Sequence, residues 1–279
     1  MKYLKNAFEL YINSSIHVSL AVVAFSLITF FQYGLEIDKQ LLYFIFFASI
    51  TGYNFVKYAG IAKLYHLSLA RNLRFIQIFS LLCFIALIYF TFQMEWRVLI
   101  ATGVLGLFTL FYAVPFLGGK KNLRSLPGLK IFIIAVVWAG CTVLLPLIKA
   151  ERYLGTEILV DFIQRMMLVI VLTLPFEIRD LKYDDESLGT IPQRLGVFMA
   201  KVFGLVLILI IFFAELLQSS FQSNEFLALI LILLLSGILL WRAKVDQKKY
   251  YCSFWVEAVP VFYLCVYWIF THYLPQIPF

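Results

Sequence analysis

The sequence predicts an all-α, polytopic membrane protein: one domain over residues 1–279, with about nine transmembrane helices, the N-terminus inside and the C-terminus outside. Three observations predict it. The chain is 63% hydrophobic and only 14% charged, whereas soluble domains carry roughly 25% charged residues. A soluble core of this length has no place for so much apolar side chain, and lipid has. The apolar residues also gather in nine long runs, and the loops between them alternate between rich and poor in basic residues.

A spanning helix needs about 20 mostly apolar residues. In chain order the runs are Ile12–Tyr33, Gln40–Val56, Leu73–Phe92, Val98–Leu117, Leu129–Ile148, Phe162–Phe176, Val197–Leu217, Phe226–Trp241 and Phe254–Tyr273. The first follows a weakly basic segment, Met1–Asn13, and no small-residue cleavage site follows it. It is expected to be a retained helix and not a signal peptide. The sixth and eighth are short as drawn. All are continuous, unlike the alternating segments of about ten residues that build membrane β-barrels.

The charges orient the runs. With the N-terminus inside, 18 of the 23 basic residues fall on the inner side and five on the outer. Each loop after runs two, four, six and eight holds four; the outer five are Lys39, Arg97, Lys149, Arg152 and Arg165. That asymmetry is the positive-inside pattern. The net charge of +7 therefore belongs to orientation and anionic lipid, not to nucleic acid. The chain is expected to be an integral, multi-pass protein of a bacterial inner membrane, with its polar loops cytoplasmic.

Cys83, Cys141, Cys252 and Cys265 form no Cys-x-x-Cys pair and read as small buried hydrophobes. His17, His66 and His272 lack ligand spacing and read as satisfied polar residues. Glu215 and Glu257 lie in or near spans without an obvious partner.

Chemistry is densest after the sixth run, in Leu174–Gly196. Glu177, Asp180 and Asp184 stand at i, i+3 and i+7, which places them on one face of a helix. Converging carboxylates at a membrane edge repel unless a positive charge joins them, and Mg²⁺ is the natural partner because it takes carboxylate oxygen and bridges to phosphate. Arg179 and Lys182 are placed to contact phosphate oxygens. The plain alternative is a solvated helix end whose acids pair with local cations; a carboxylate at the membrane edge argues against it.

This segment resembles the second aspartate motif of the UbiA-type intramembrane prenyltransferases, approximately D-x-x-D-x-x-x-D followed by Gly, Thr-Leu-Pro and a later Gly. Glu177, Asp180 and Asp184 stand at the acids, and Gly189, Thr190, Ile191, Pro192 and Gly196 follow in order. Tyr112, Pro115, Lys120 and Lys121 are similar, with stretched spacing, to the Tyr, Pro and basic residues at the end of that family's fourth span. The resemblance implies nine helices around a central cavity and cytoplasmic loops. It also implies transfer of a prenyl group from an isoprenoid diphosphate to a lipophilic acceptor, with Mg²⁺ as cofactor. On it, Glu177, Asp180 and Asp184 hold the metal, and Asp180, Asp184 and Tyr112 are catalytic. Asn54, Lys57, Arg71, Lys120, Arg179 and Lys182 bind the diphosphate.

The first acidic motif departs from that pattern. Asn54 matches, but Phe55, Tyr58 and Ala62 occupy the places of the acids. Lys57, Lys63, Arg71 and Arg74 then either neutralise the diphosphate in place of a second metal, or the chain keeps the fold without the reaction and binds an isoprenoid lipid or a partner membrane protein. A transporter is the weaker third reading, because nine spans do not divide into two halves and no pair of spans shows matching Gly/Pro interruptions.

Overall fold

The computed structural model describes residues 2–58, 70–114, 126, 128–185, 188–218 and 223–273, with side chains from residue 4 and, in the second segment, from residue 74. Among the described residues the secondary structure is helical. The order is α1 (Lys2–Asn13), α2 (Ile16–Gln32), α3 (Lys39–Tyr58), α4 (Ala70–Thr91), α5 (Trp96–Ala113), α6 (Leu129–Ala139), a π turn at Gly140–Leu144, and α7 (Leu145–Lys149). There follow α8 (Thr156–Asp180), α9 (Ile191–Leu216), α10 (Ser223–Arg242), a second π turn at Tyr251–Val256, and α11 (Val259–Tyr273). Seven of these helical segments are long and apolar enough to cross a membrane, or eight if the bent pair α1–α2 is one span. Every apolar run of the sequence coincides with a helix, and the short sixth run extends to the 25 residues of α8.

The first run departs from the expected single helix. The chain bends by 57° between α1 and α2, where Ser15 takes a left-handed φ of 63°. Polar contacts fix the break: Ser15 Oγ donates to Asn54 Oδ1 at 2.8 Å, and Asn54 Nδ2 donates to the Ser14 carbonyl at 3.1 Å. Lys57 Nζ and the Tyr58 hydroxyl both reach the Asn13 carbonyl, at 3.1 and 2.8 Å.

Helix α8 occupies the centre. Leu168 to Leu172, Leu174 and Ile178 are all buried, the pattern of a helix enclosed on every side. It packs against α6, α9 and α10. Gly204 of α9 permits the close approach, since a Cβ there would strike the side chains of Leu240 and Leu174. The outer surfaces of α4, α5 and α9 present exposed large apolar residues such as Phe75, Leu82, Ile100, Leu107, Phe198 and Leu209, the surface a lipid-facing helix shows.

Ion pairs mark the two ends of the bundle. At one, Lys149 pairs with Glu95 at 2.6 Å and Asp38 at 3.6 Å, and Arg97 with Glu151 at 2.7 Å. At the other, Lys130 pairs with Asp184 at 3.1 Å, Lys182 with Asp246 at 2.6 Å and Lys249 with Glu9 at 2.9 Å. Arg165, counted with the outer loops from sequence, instead lies buried within α8, where it donates to the Phe25 carbonyl at 2.9 Å and sits 4.4 Å from the Phe25 ring centre. The four thiols are free; Cys83 and Cys252 are buried as expected, whereas Cys265 is exposed on α11.

Candidate functional site

The acidic segment forms the last turn of α8 and the link to α9. Glu177 is 2% exposed. It accepts a hydrogen bond from the backbone N–H of Ile191, the first residue of α9, where the N-terminal end of a helix favours a carboxylate. Its Oε2 is buried with no hydrogen-bond partner. Asp180 accepts two bonds from Arg179, Nε to Oδ1 at 2.7 Å and Nη2 to Oδ2 at 3.1 Å, the forked geometry that strengthens such pairs. Past the helix the Asp184 N–H bonds the Asp180 carbonyl at 2.8 Å, and the Asp184 carboxylate meets Lys130 of α6.

The residues after the acids have local work of their own. Gly189 has a φ of +50°, which glycine takes without strain. Thr190 is the N-cap of α9, its backbone N–H bonding Gln193 Oε1 at 2.9 Å, with Pro192 in the first turn. Gly196 interrupts α9 at φ 80°, ψ 162°. The Gly-Thr-Ile-Pro string thus starts α9 at the place where its backbone caps Glu177. The start of α6 is stitched to the same loop, Gly128 N–H to the Leu188 carbonyl at 3.0 Å.

The other expected residues divide. Asn54 is buried and fully engaged, with Ser15, Ser14 and Ser80 as its partners; it ties α3 to the α1–α2 break and to α4. Lys57 lies within electrostatic reach of Arg179 and of Glu257, the residue after the second π turn. Phe55, at the place of a family acid, faces outward. Tyr112 is buried in the last turn of α5, and the Tyr53 hydroxyl of α3 accepts from Trp138 Nε1 at 2.5 Å. Lys182 points away from the acids to Asp246 on the α10–α11 link, and that contact holds its ammonium above, and the Asp246 carboxyl below, their usual ranges. Arg71 lies in the first turn of α4, with its side chain outside the described residues; Lys120 also lies outside them, as do Ala62, Lys63, His66, Pro115 and Lys121.

Carboxylate oxygens are the donors Mg²⁺ takes, and the unpartnered Glu177 Oε2 is one. As placed, Asp180 and Asp184 turn to Arg179 and Lys130, and among the described residues no three His, Cys, Asp or Glu side chains are grouped to hold a metal ion. The acids thus offer the oxygen donors that Mg²⁺ takes, but as placed they are held by internal cations and, among the described residues, are not gathered around one point. Two participants were not legible in the sequence as partners. Lys130 comes from 54 positions before Asp184, and Glu257 reaches the site from the end of the chain opposite Lys57; the only sequence signal for Glu257 is a carboxylate in an apolar run.

No family model matches the chain, and no curated protein matches it. Among solved structures, it is similar to one described by structural and mechanistic work on digeranylgeranylglyceryl phosphate synthase in membranes. The two share 16% identity with a TM-score of 0.56, covering 96% of this chain and 98% of the other. At that identity the likeness shows a shared fold.

Proposed function

We propose that the protein is a membrane prenyltransferase that moves a prenyl group from an isoprenoid diphosphate to a lipophilic acceptor at the α8–α9 end of the bundle. The observation that carries this reading is the full-length fold likeness to the structure described by work on digeranylgeranylglyceryl phosphate synthase in membranes. The Glu177, Asp180 and Asp184 acids at the end of α8 and its link to α9 support it. In such a reaction the allylic C1–O bond breaks with its electron pair leaving on the diphosphate, and the acceptor bonds C1 and loses a proton. Lys57, Lys130 and Arg179 would take phosphate oxygens by charge-assisted hydrogen bonds. Tyr53 and Trp138, which meet across α3 and α6, and Tyr112 of α5 would offer π faces suited to a developing allylic cation.

The charges near the site support a metal. Among the described residues, Lys57, Lys130 and Arg179 are outnumbered by Glu177, Asp180, Asp184 and Glu257. Glu177, Asp180 and Asp184 would hold Mg²⁺, which when bound neutralises the diphosphate and stabilises its departure. Nine crossings with the N-terminus inside would put this end in the cytoplasm; the basic asymmetry of the loops supports that orientation.

The test is incubation of the purified full chain with labelled prenyl diphosphates of several lengths, Mg²⁺ and a panel of lipophilic acceptors, reading both prenyl transfer and diphosphate release. Transfer that Asp180→Asn and Asp184→Asn abolish in folded protein is the expected result. Donor binding with neither transfer nor release supports the second reading, a non-catalytic isoprenoid-binding protein, which Phe55 and Tyr58 in place of acids favour. Absence of donor binding overturns both.

A further inference from the structure

Lys130, Lys149, Arg179, Lys182 and Lys249 each lie within 3.1 Å of a carboxylate oxygen. Where α9 packs against α10 the pattern breaks. Lys201 of α9 donates from Nζ to the Trp241 carbonyl of α10 at 2.7 Å. That carbonyl shares its peptide unit with Arg242, so the Lys201 ammonium stands within about 6 Å of the Arg242 Cα. Lys244 follows just past the end of α10. Arg242 and Lys244 are exposed, and Lys201, Arg242 and Lys244 make no ion pair among the described residues. Asp246, the carboxylate nearest in sequence, is bonded to Lys182 at 2.6 Å. A cation at the C-terminal end of a helix is stabilising, and capping accounts for the Lys201 contact. It uses one of the three donors of that ammonium and leaves the charges of all three side chains without an anion.

The surface beside them is apolar and aromatic. Phe198 and Trp241 meet edge to face, ring centres 6.1 Å apart, and stay 62% and 50% exposed. The Lys201 Nζ lies 5.8 Å from the Trp241 ring centre. Ile238, one turn before Trp241, is exposed as well. Both α9 and α10 are long and apolar enough to cross a membrane, so this surface faces acyl chains and the cations at the end of α10 stand at headgroup level. We propose that the α9–α10 junction is a binding site for one anionic phospholipid, with Lys201, Arg242 and Lys244 taking its phosphate and Phe198, Trp241 and Ile238 carrying an acyl chain. Phosphate oxygens accept charge-assisted bonds from ammonium and guanidinium groups. A zwitterionic lipid offers the same phosphate but brings its own ammonium, which meets three like charges and no free carboxylate. An anionic lipid brings none. The site is separate from the acids at the end of α8 and from the reaction proposed for them.

The test uses the full chain, stripped of lipid in a neutral detergent. Dioleoylphosphatidylglycerol and dioleoylphosphatidylcholine are titrated in separately, and the first bound lipid is followed by native mass spectrometry. The wild type should hold phosphatidylglycerol about tenfold more tightly than phosphatidylcholine. Arg242→Gln with Lys244→Gln leaves the Lys201 cap in place and should lower phosphatidylglycerol affinity about tenfold, the scale of removing two basic residues from an anionic headgroup. Lys5→Gln with Lys249→Gln, the same change of net charge elsewhere, should alter it less than about twofold. Inorganic phosphate, the same group without a chain, should not displace the lipid. Equal affinity of the wild type for the two lipids overturns the proposal, as does an equal loss in the two double variants. Displacement by inorganic phosphate makes the site one for free phosphate and overturns it too. Lys201→Met should lower both the melting midpoint and the preference for phosphatidylglycerol; a lower midpoint with the preference intact would make Lys201 a helix cap alone and remove it from the site.

Discussion

Lys57 and Lys249 carry the same charge in different settings. Lys249 is paired to Glu9 on the surface, its side chain 68% exposed. Lys57 is also accessible, but it stands within the field of Arg179 and Glu257 at the end of α3. Lys57→Ala should weaken pyrophosphate binding by about three- to tenfold, while Lys249→Ala should change it less than about twofold; exposed ion pairs contribute little. Equal effects in a calorimetric titration would remove Lys57 from the site. The Lys182–Asp246 pair makes a pH prediction. Asp246 is depressed by its hydrogen bond from Lys182, so its share of stability is present above the ordinary aspartate value and is lost as pH falls through the lower folded value; Lys182 is raised, so its share is lost only as pH rises past the ordinary lysine value. Between about 3.9 and 10.4, the unperturbed values, the pair is intact. The difference in melting midpoint between wild type and Asp246→Asn should be constant from about pH 6 to 8 and should shrink in acid. A difference that grows in acid would contradict the pairing. At this scale Glu177 and Asp180 were legible because they share the last turn of α8, whereas Asp184 lies past the helix end and meets Lys130, not the shared helix face that its spacing implied. Lys130 and Glu257 were not, because apolar spacing cannot say which distant helices will face each other.

Helix positions followed directly from apolar run length, since a run long enough to span has one low-energy state in lipid. The breaks did not follow so directly. Ser14 and Ser15 are polar enough to end α1, but the 57° bend depends on Asn54 arriving from α3. The two π turns carry no composition signal; each is set by tertiary contacts around it. Packing between helices gives the sharper prediction. Gly204 and Gly106 look alike in sequence, both mid-helix glycines in apolar runs. A Cβ at Gly204 would meet Leu240 and Leu174, both fully buried, whereas nothing lies within 4 Å of one at Gly106. Glycine to alanine relieves roughly 1 kcal/mol of helix propensity, but overpacking a core costs about 1–3 kcal/mol. Gly204→Ala should therefore lower the melting midpoint, and Gly106→Ala should leave it unchanged or raise it. The reverse order would mean that α9 does not approach α8 and α10 this closely.

Across the whole molecule, the charge pattern and the end-to-end contacts support one arrangement from independent directions. Helix α3 decides the count, because it is not among the seven segments that are long and apolar enough to cross a membrane. Its 20 residues rise about 30 Å at 1.5 Å each, which equals the hydrocarbon thickness. Asp38, just before it, belongs to the Lys149–Glu95 cluster at one end of the bundle; Lys57, in its last turn, contacts Asn13 at the other. It also packs between α2 and α4. A helix that begins at one end and finishes at the other crosses the bundle whatever its mean polarity, and Asn54 is tolerated in it because its polar atoms are satisfied by Ser14, Ser15 and Ser80. With α3 counted beside the seven segments and the bent α1–α2 pair, the total would be the nine crossings proposed above, with loops alternating in side. A reporter inserted between α2 and α3, near Gly34, should then read external. One after Lys249 should read cytoplasmic, and one at the C-terminus external. If α3 did not cross, the Gly34 reporter would share a compartment with a reporter at residue 60, and the even spread of basic residues over the inner loops would lose its explanation. Matching compartments for Lys249 and the C-terminus would instead deny that α11 crosses.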